Sequence, residues 1–121
     1  MKVLESELLA FFDVDDTLVL WGMEQDPRVV PFVDPHDQNE HLLVPHERHI
    51  KLLRDFKDRG YMIIVWSGGG YQWAETVVKT LGITDFVDFV MTKPTKYIDD
   101  LCADEILGSR IYLKLEELKN D

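Results

Sequence analysis

Asp13-Val14-Asp15-Asp16-Thr17 puts three carboxylates within four residues, at the end of the apolar run Leu8-Leu9-Ala10-Phe11-Phe12. Carboxylates that close repel one another unless a cation lies among them. A hard divalent ion such as Mg2+, which prefers oxygen ligands, is the cation that fits. A solvated acidic turn is the plainer reading. A strand buried on both faces and running straight into the cluster argues against it. A second polar group closes another apolar run, where Tyr61-Met62-Ile63-Ile64-Val65-Trp66 leads into Ser67-Gly68-Gly69-Gly70. These glycines are not a P-loop, because no Gly-Lys-Ser/Thr follows them. Ser67 can serve equally as a plain helix N-cap.

The elements that must carry these groups follow from periodicity. The runs 8–14 and 61–66 read as buried central strands, and Phe86–Met91 as a third strand weakened by Asp88. Lys96-Tyr97-Ile98 and Arg110-Ile111-Tyr112-Leu113 are shorter candidates that do not stand as strands by themselves. Ile50, Leu53 and Phe56 recur at helical spacing after Pro45, with Gly60 as the stop. Ala74, Val77, Val78 and Leu81 form an i, i+3, i+4, i+7 stripe closed by Gly82. Strands alternating with single helices predict an α/β fold, a doubly wound, Rossmann-like parallel sheet of about five strands. Ligands of such a sheet bind beyond the carboxyl ends of its strands.

Residues 20–44 break the alternation. Val29–Val33 and His41–Val44, separated by the polar stretch Asp34–Asn39, read as a β-hairpin flap projecting from the sheet. All four histidines, His36, His41, His46 and His49, lie on the flap or at the helix start behind it. With Asp34, Asp37, Glu40 and Glu47 they offer zinc ligands, but the spacing matches no standard zinc pattern. They read instead as polar residues near the substrate, with His46 and His49 at surface positions of the helix. Trp21, Trp66 and Trp73 flank the expected site and could stack on a base or sugar, but Trp73 fits the packing face of its helix equally well and Trp66 reads rather as core packing.

Phe11-Phe12-Asp13-Val14-Asp15-Asp16-Thr17-Leu18-Val19 resembles the first motif of the haloacid dehalogenase (HAD) superfamily, apolar residues followed by DxDx[TV][LV]. Ser67 is similar to the second motif, Lys93 in Lys93-Pro94 to the third, and Ile98-Asp99-Asp100 to the acid pair of the fourth. Lys96 is the alternative for the third-motif lysine. The resemblance spans residues 8–100 and implies a phosphatase that uses Mg2+. It makes Asp13 the nucleophile and a metal ligand, and Asp15 the general acid and base, its backbone carbonyl also a metal ligand. Asp100 becomes the direct metal ligand, with Asp99 supporting it. Val14, Thr17, Ser67, Gly68 and Lys93 would meet the phosphate. Asp16 is expected at the exposed turn and outside the chemistry. Phosphoryl transfer to a carboxylate asks for these residue types on its own account: an ionised nucleophile, a cation and donors around the phosphate oxygens.

Many relatives insert a cap domain, and residues 1–121 leave room only for the 20–44 flap. A single capless catalytic domain is therefore expected. Its open site would suit a terminal phosphate on a larger molecule, or a small phosphorylated molecule covered by a second subunit in a homo-oligomer. Small capless members resemble proteins encoded by bacteriophages, which would place the chain in a host cytoplasm. The 23 acidic residues against 13 basic ones, a net charge of −10, disfavour extended nucleic-acid binding and docking on anionic lipid. No apolar run approaches membrane-spanning length, and the single Cys102 makes no intrachain disulfide, as expected of a cytoplasmic protein. Three other functions stay open: a nucleotide or polynucleotide-end phosphatase, a phospho-accepting receiver-like domain that is not an enzyme, and a degenerate binding module.

Overall fold

The computed structural model describes residues 1–116. Strands β1 (Leu9–Asp13), β5 (Met62–Ser67) and β6 (Phe89–Thr92) form a parallel sheet in the order β1-β5-β6. Leu9 pairs with Met62 and Asp13 with Trp66, and on the other side of β5 Ser67 pairs with Thr92. This register brings Asp13, Ser67 and the residue after Thr92 to one edge of the sheet. Helix α1 (Glu47–Asp58) crosses from β1 toward β5, and α2 (Tyr71–Leu81) from β5 to β6. Gly82 ends α2 in the left-handed conformation at φ 70°, its N–H donating to the carbonyls of Val78 and Lys79, as the sequence pattern requires.

Among the described residues the sheet has three strands rather than five, and it is wound on one face only. Phe12, Ile63 and Val65 share a core with Ile50 and Leu53 of α1 and with Trp73, Ala74, Val77 and Val78 of α2. Two right-handed crossovers that step in the same direction across a sheet must lie on the same side. A doubly wound sheet needs a third crossover stepping back past β1, and residues 93–116 supply no strand for it. The opposite face, bearing Leu9, Phe11, Phe89 and Met91, stays exposed around the buried Ile64. Trp66 belongs to that face, its ring 4.5 Å from Phe11, and so is not part of the helix-covered core. The candidates at 96–98 and 110–113 are not strands. The chain from 94 to 112 is exposed and carries only the short helix α3 (Ala103–Ile106).

The 20–44 segment forms the expected hairpin, but not a projecting flap. Strands β3 (Val30–Val33) and β4 (Glu40–Pro45) pair antiparallel, and β2 (Val19–Leu20) pairs with the other edge of β4. The result is a separate sheet in the order β2-β4-β3. Leu18, Val19, Phe32 and Leu43 are fully or almost fully buried in the same core as the helices. Alternation along β3 turns Phe32 inward and leaves Val33 exposed, so the hairpin is a wall of the domain.

Asp88, which weakens the third strand in the sequence pattern, lies just outside it and anchors it. Its carboxylate accepts the Ile63 N–H at 2.8 Å and holds the Lys57 ammonium of α1 at 2.8 Å. Partial burial pushes the Asp88 carboxyl up, but the Lys57 and Ile63 bonds outweigh it and hold the group below its ordinary range. A carboxyl depressed in the folded state stabilises above its unfolded value of about 3.9, and that contribution is lost as pH falls through the folded value. Asp88→Ala is expected to cost about 1–3 kcal/mol in urea denaturation at pH 7, because it strips the acceptor from a part-buried amide. The gap between wild type and variant should narrow as pH falls below about 4. A gap that stays constant down to pH 2 would exclude the ionised pair as its source.

Candidate active site

The turn after β1 folds back on the carboxylate that ends the strand. The Val14 carbonyl accepts the N–H groups of Thr17, Leu18 and Val19, and Asp16 takes the left-handed conformation at φ 59°. Val14 itself is completely buried. The turn brings the Thr17 hydroxyl within 2.9 Å of Asp13 Oδ2, to which it donates. The other oxygen, Oδ1, lies 3.0 Å from Lys93 Nζ. The Lys93 backbone N–H donates to the Ser67 carbonyl at 2.9 Å, so the lysine is set by the neighbouring strand end. Asp13, Thr17, Ser67 and Lys93 are thus gathered at one sheet edge. Lys96 is exposed and makes no ion pair among the described residues.

Asp15 is held from outside the strand ends. Its Oδ1 accepts the indole N–H of Trp21 at 2.8 Å and that of Trp73 at 3.0 Å. Asp15 Oδ2 makes no hydrogen bond among the described residues. The sequence pattern offers both tryptophans as stacking surfaces and Trp73 equally as helix packing; Trp73 is indeed buried in the core, and the N–H groups of both orient a carboxylate. The His41 ring, 5.0 Å from Trp21 and 6.4 Å from Trp73, completes an aromatic cluster that ties the hairpin to the site. Tryptophan is a donor only, so two of them flanking an acid cluster were the available signal for this role. Asp16 is exposed, as expected, and its carboxylate accepts the Trp21 backbone N–H.

Ser67 is buried but does not cap α2, whose N-cap is Gly70. Its Oγ accepts the Gly69 N–H at 3.0 Å, and its carbonyl accepts the Gly70 N–H at 3.2 Å. Two of the turn amides are therefore taken internally. The exposed Gly68 amide and the Ser67 hydroxyl hydrogen have no acceptor among the described residues. Gly70 sits at φ 103°, ψ 162°, a conformation open essentially to glycine alone.

No family model, curated protein or solved structure matches this chain.

Asp99 and Asp100 are the sequence candidates that the structure does not join to the others. Both are exposed in coil rather than at a strand end, and the Asp99 carboxylate accepts the Leu101 N–H. Asp13, Asp15, Asp99 and Asp100 do not gather their carboxylate oxygens into one group among the described residues. The donors nonetheless suit Mg2+ in kind. They are hard oxygens, and Mg2+ needs only one or two protein carboxylates because it keeps several waters. Asp13 keeps part of its surface open to solvent, and neither Asp99 nor Asp100 is engaged by a cation among the described residues.

The histidines divide. His46 and His49 are buried, not on the helix surface, and their rings stack at 3.7 Å. Each ring nitrogen is bonded to backbone, which removes them from any metal site. His36 is exposed at the hairpin tip. His41 does lie with Asp34 and Asp37, ligand atoms within 4.8 Å of one another. The side chains of Asp13 and Lys93 are partly exposed, and shallow concavities lie away from them, between α2 and β6 around Val78, Thr84 and Val90, and at Asp55, Asp58 and Arg59. No helix among the described residues is long and apolar enough to cross a membrane.

Proposed function

We propose that the protein is a phosphomonoester hydrolase acting through an aspartyl-phosphate on Asp13. The observation that carries this reading is the three-point setting of one carboxylate. Thr17 donates to Oδ2, Lys93 sits on Oδ1, and Lys93 is itself anchored to Ser67. Lys93 and Thr17 aim the Asp13 carboxylate, and the ammonium offers the incoming phosphate a positive charge. An Asp13 oxygen attacks phosphorus, the bond from phosphorus to the leaving oxygen breaks, and Asp15 gives that oxygen its proton. Water then attacks the aspartyl-phosphate, its proton returns to Asp15, and inorganic phosphate leaves. Asp15 Oδ2 suits this exchange because the two indoles occupy Oδ1. The Ser67 hydroxyl and the Gly68 amide supply donors to the phosphate oxygens. Asp13 and the Asp15 carbonyl would hold Mg2+, which when bound supplies further positive charge to the phosphate, while the sequence candidates Asp100 and Asp99 lie apart from them in the coil. The open strand ends suit a terminal phosphate on a large molecule, or a small substrate covered by a second copy of the chain.

The test is a screen of sugar phosphates, nucleotides, 3′- and 5′-phosphorylated oligonucleotides and phosphopeptides, with Mg2+ and with chelator. Repeated phosphate release that chelation stops is expected. A single stoichiometric phosphorylation without turnover would replace the hydrolase with a receiver-like domain. Release that chelator leaves unchanged would remove the metal from the reaction.

A further inference from the structure

The chain is exposed from residue 94 to 112 and is then recaptured by side chains, not by a strand. The Leu113 N–H donates to His49 Nε2 at 2.8 Å, and the Leu113 carbonyl meets His46 Nε2 at 2.8 Å. Arg48 donates to the Lys114 carbonyl and Arg28 to the Glu116 carbonyl, each at 2.9 Å. The Tyr112 hydroxyl donates to the Asp16 carbonyl at 3.1 Å. On the inner side, His49 Nδ1 meets the Thr17 carbonyl at 2.8 Å, and Thr17 holds Asp13.

These bonds dictate the tautomers. His49 Nε2 accepts from an amide and carries no proton, so the proton sits on Nδ1 and is given to Thr17. His46 Nδ1 accepts the His49 N–H at 3.1 Å, so its proton sits on Nε2 and is given to Leu113. Both rings are neutral. A second proton on either one would set an N–H against an N–H donor. Two charged imidazoles could not stay stacked at 3.7 Å.

We propose that residues 112–116 form a strap latched onto the Asp13–Thr17 turn by the neutral His46–His49 pair, and that proton uptake by the pair opens the latch. The groups facing the pair offer a new charge no counterion. Arg48 comes from α1, the Tyr112 ring stands edge-on from the strap with Arg110 over it, and the turn contributes only the Thr17 carbonyl. No carboxylate lies within ion-pair distance of either ring among the described residues. Burial first, and the neighbouring His49 second, hold His46 below the ordinary imidazole range. His46 also sits at the N-terminus of α1, where the helix dipole opposes positive charge. A histidine depressed in the latched state keeps the latch at full strength above its open-state value of about 6.5. That strength falls as pH drops from there to the latched value.

The experiment is amide hydrogen exchange by NMR, corrected for intrinsic rates, with the ring nitrogens observed in parallel. It does not depend on turnover, so it stands apart from the hydrolase reading. Leu113 protection is expected to fall as pH drops below ~6.5, by up to about tenfold per pH unit for each proton taken up, and ahead of the His46 ring signal, which the closed latch holds to lower pH. The Ile63 and Val65 amides should stay protected throughout. Leu113 protection that is flat to pH 5, or lost only together with Ile63 and Val65, would overturn the proposal. A His46 ring signal that titrates while Leu113 protection stays unchanged would also overturn it. A folded His46→Gln/His49→Gln variant should lack the acid step, and a step that survives in it sinks the latch.

Discussion

Asp13→Asn should lower phosphate release at least about a thousandfold, an increase of about 4 kcal/mol in the activation barrier, while leaving the fold intact. The substitution is nearly isosteric and keeps an oxygen for the Thr17 hydroxyl or for the Lys93 ammonium, whose side chain is partly exposed. What it removes is the negative charge that makes the group a nucleophile. Unchanged urea denaturation beside lost turnover is therefore the expected pair of results. Asp16→Asn is the matched control. Asp16 is an exposed acid at φ 59°, a backbone conformation that asparagine tolerates, and asparagine retains the oxygen that accepts the Trp21 N–H. Its turnover should stay close to that of wild type. Near-normal turnover in Asp13→Asn would end the hydrolase assignment.

Phe32→Ala should cost about 3–5 kcal/mol in urea denaturation, the range for emptying a buried aromatic site. That is a large share of the roughly 5–15 kcal/mol that holds a domain folded. Phe32 is completely buried on β3 and packs into the core that α1 and α2 share. Val33, next in the strand, points outward, and Val33→Ala should change stability by about 0.5 kcal/mol or less. A projecting flap would make the two substitutions equally mild. A small effect of Phe32→Ala would thus restore the flap and detach the second sheet from the core.

Much of the site is legible in local sequence because its parts are local. An apolar run ending in acids marks a strand and its carboxyl edge, and that edge is where Asp13, Ser67 and Lys93 meet. But β1 is an edge strand with Leu9 and Phe11 exposed and not the buried central strand expected, because no further strand pairs with it among the described residues. Asp88 misleads because a charge inside an apolar run looks like a defect in the strand, whereas one residue of offset makes it an anchor for Ile63 and Lys57. His46 and His49 mislead for a related reason. Their helical positions put them on the outer side, and only the strap returning some 64 residues later covers them. The convergence of Trp21 and Trp73 on Asp15 joins residues 6 and 58 positions further along the chain, which no spacing rule anticipates.

The sequence by itself determined the element types, the helix stop at Gly82, the hairpin pairing and the identity of the acids at the first strand end. Those depend on backbone conformation and on periodic burial within one element, and both act over a few residues. Tertiary structure alone decided how many strands the sheet has, which of its faces is covered, that the hairpin closes the core, and that two imidazoles hold the C-terminal strap. These depend on the direction in which successive crossovers step and on pairings between distant segments. Neither leaves a periodic trace along the chain.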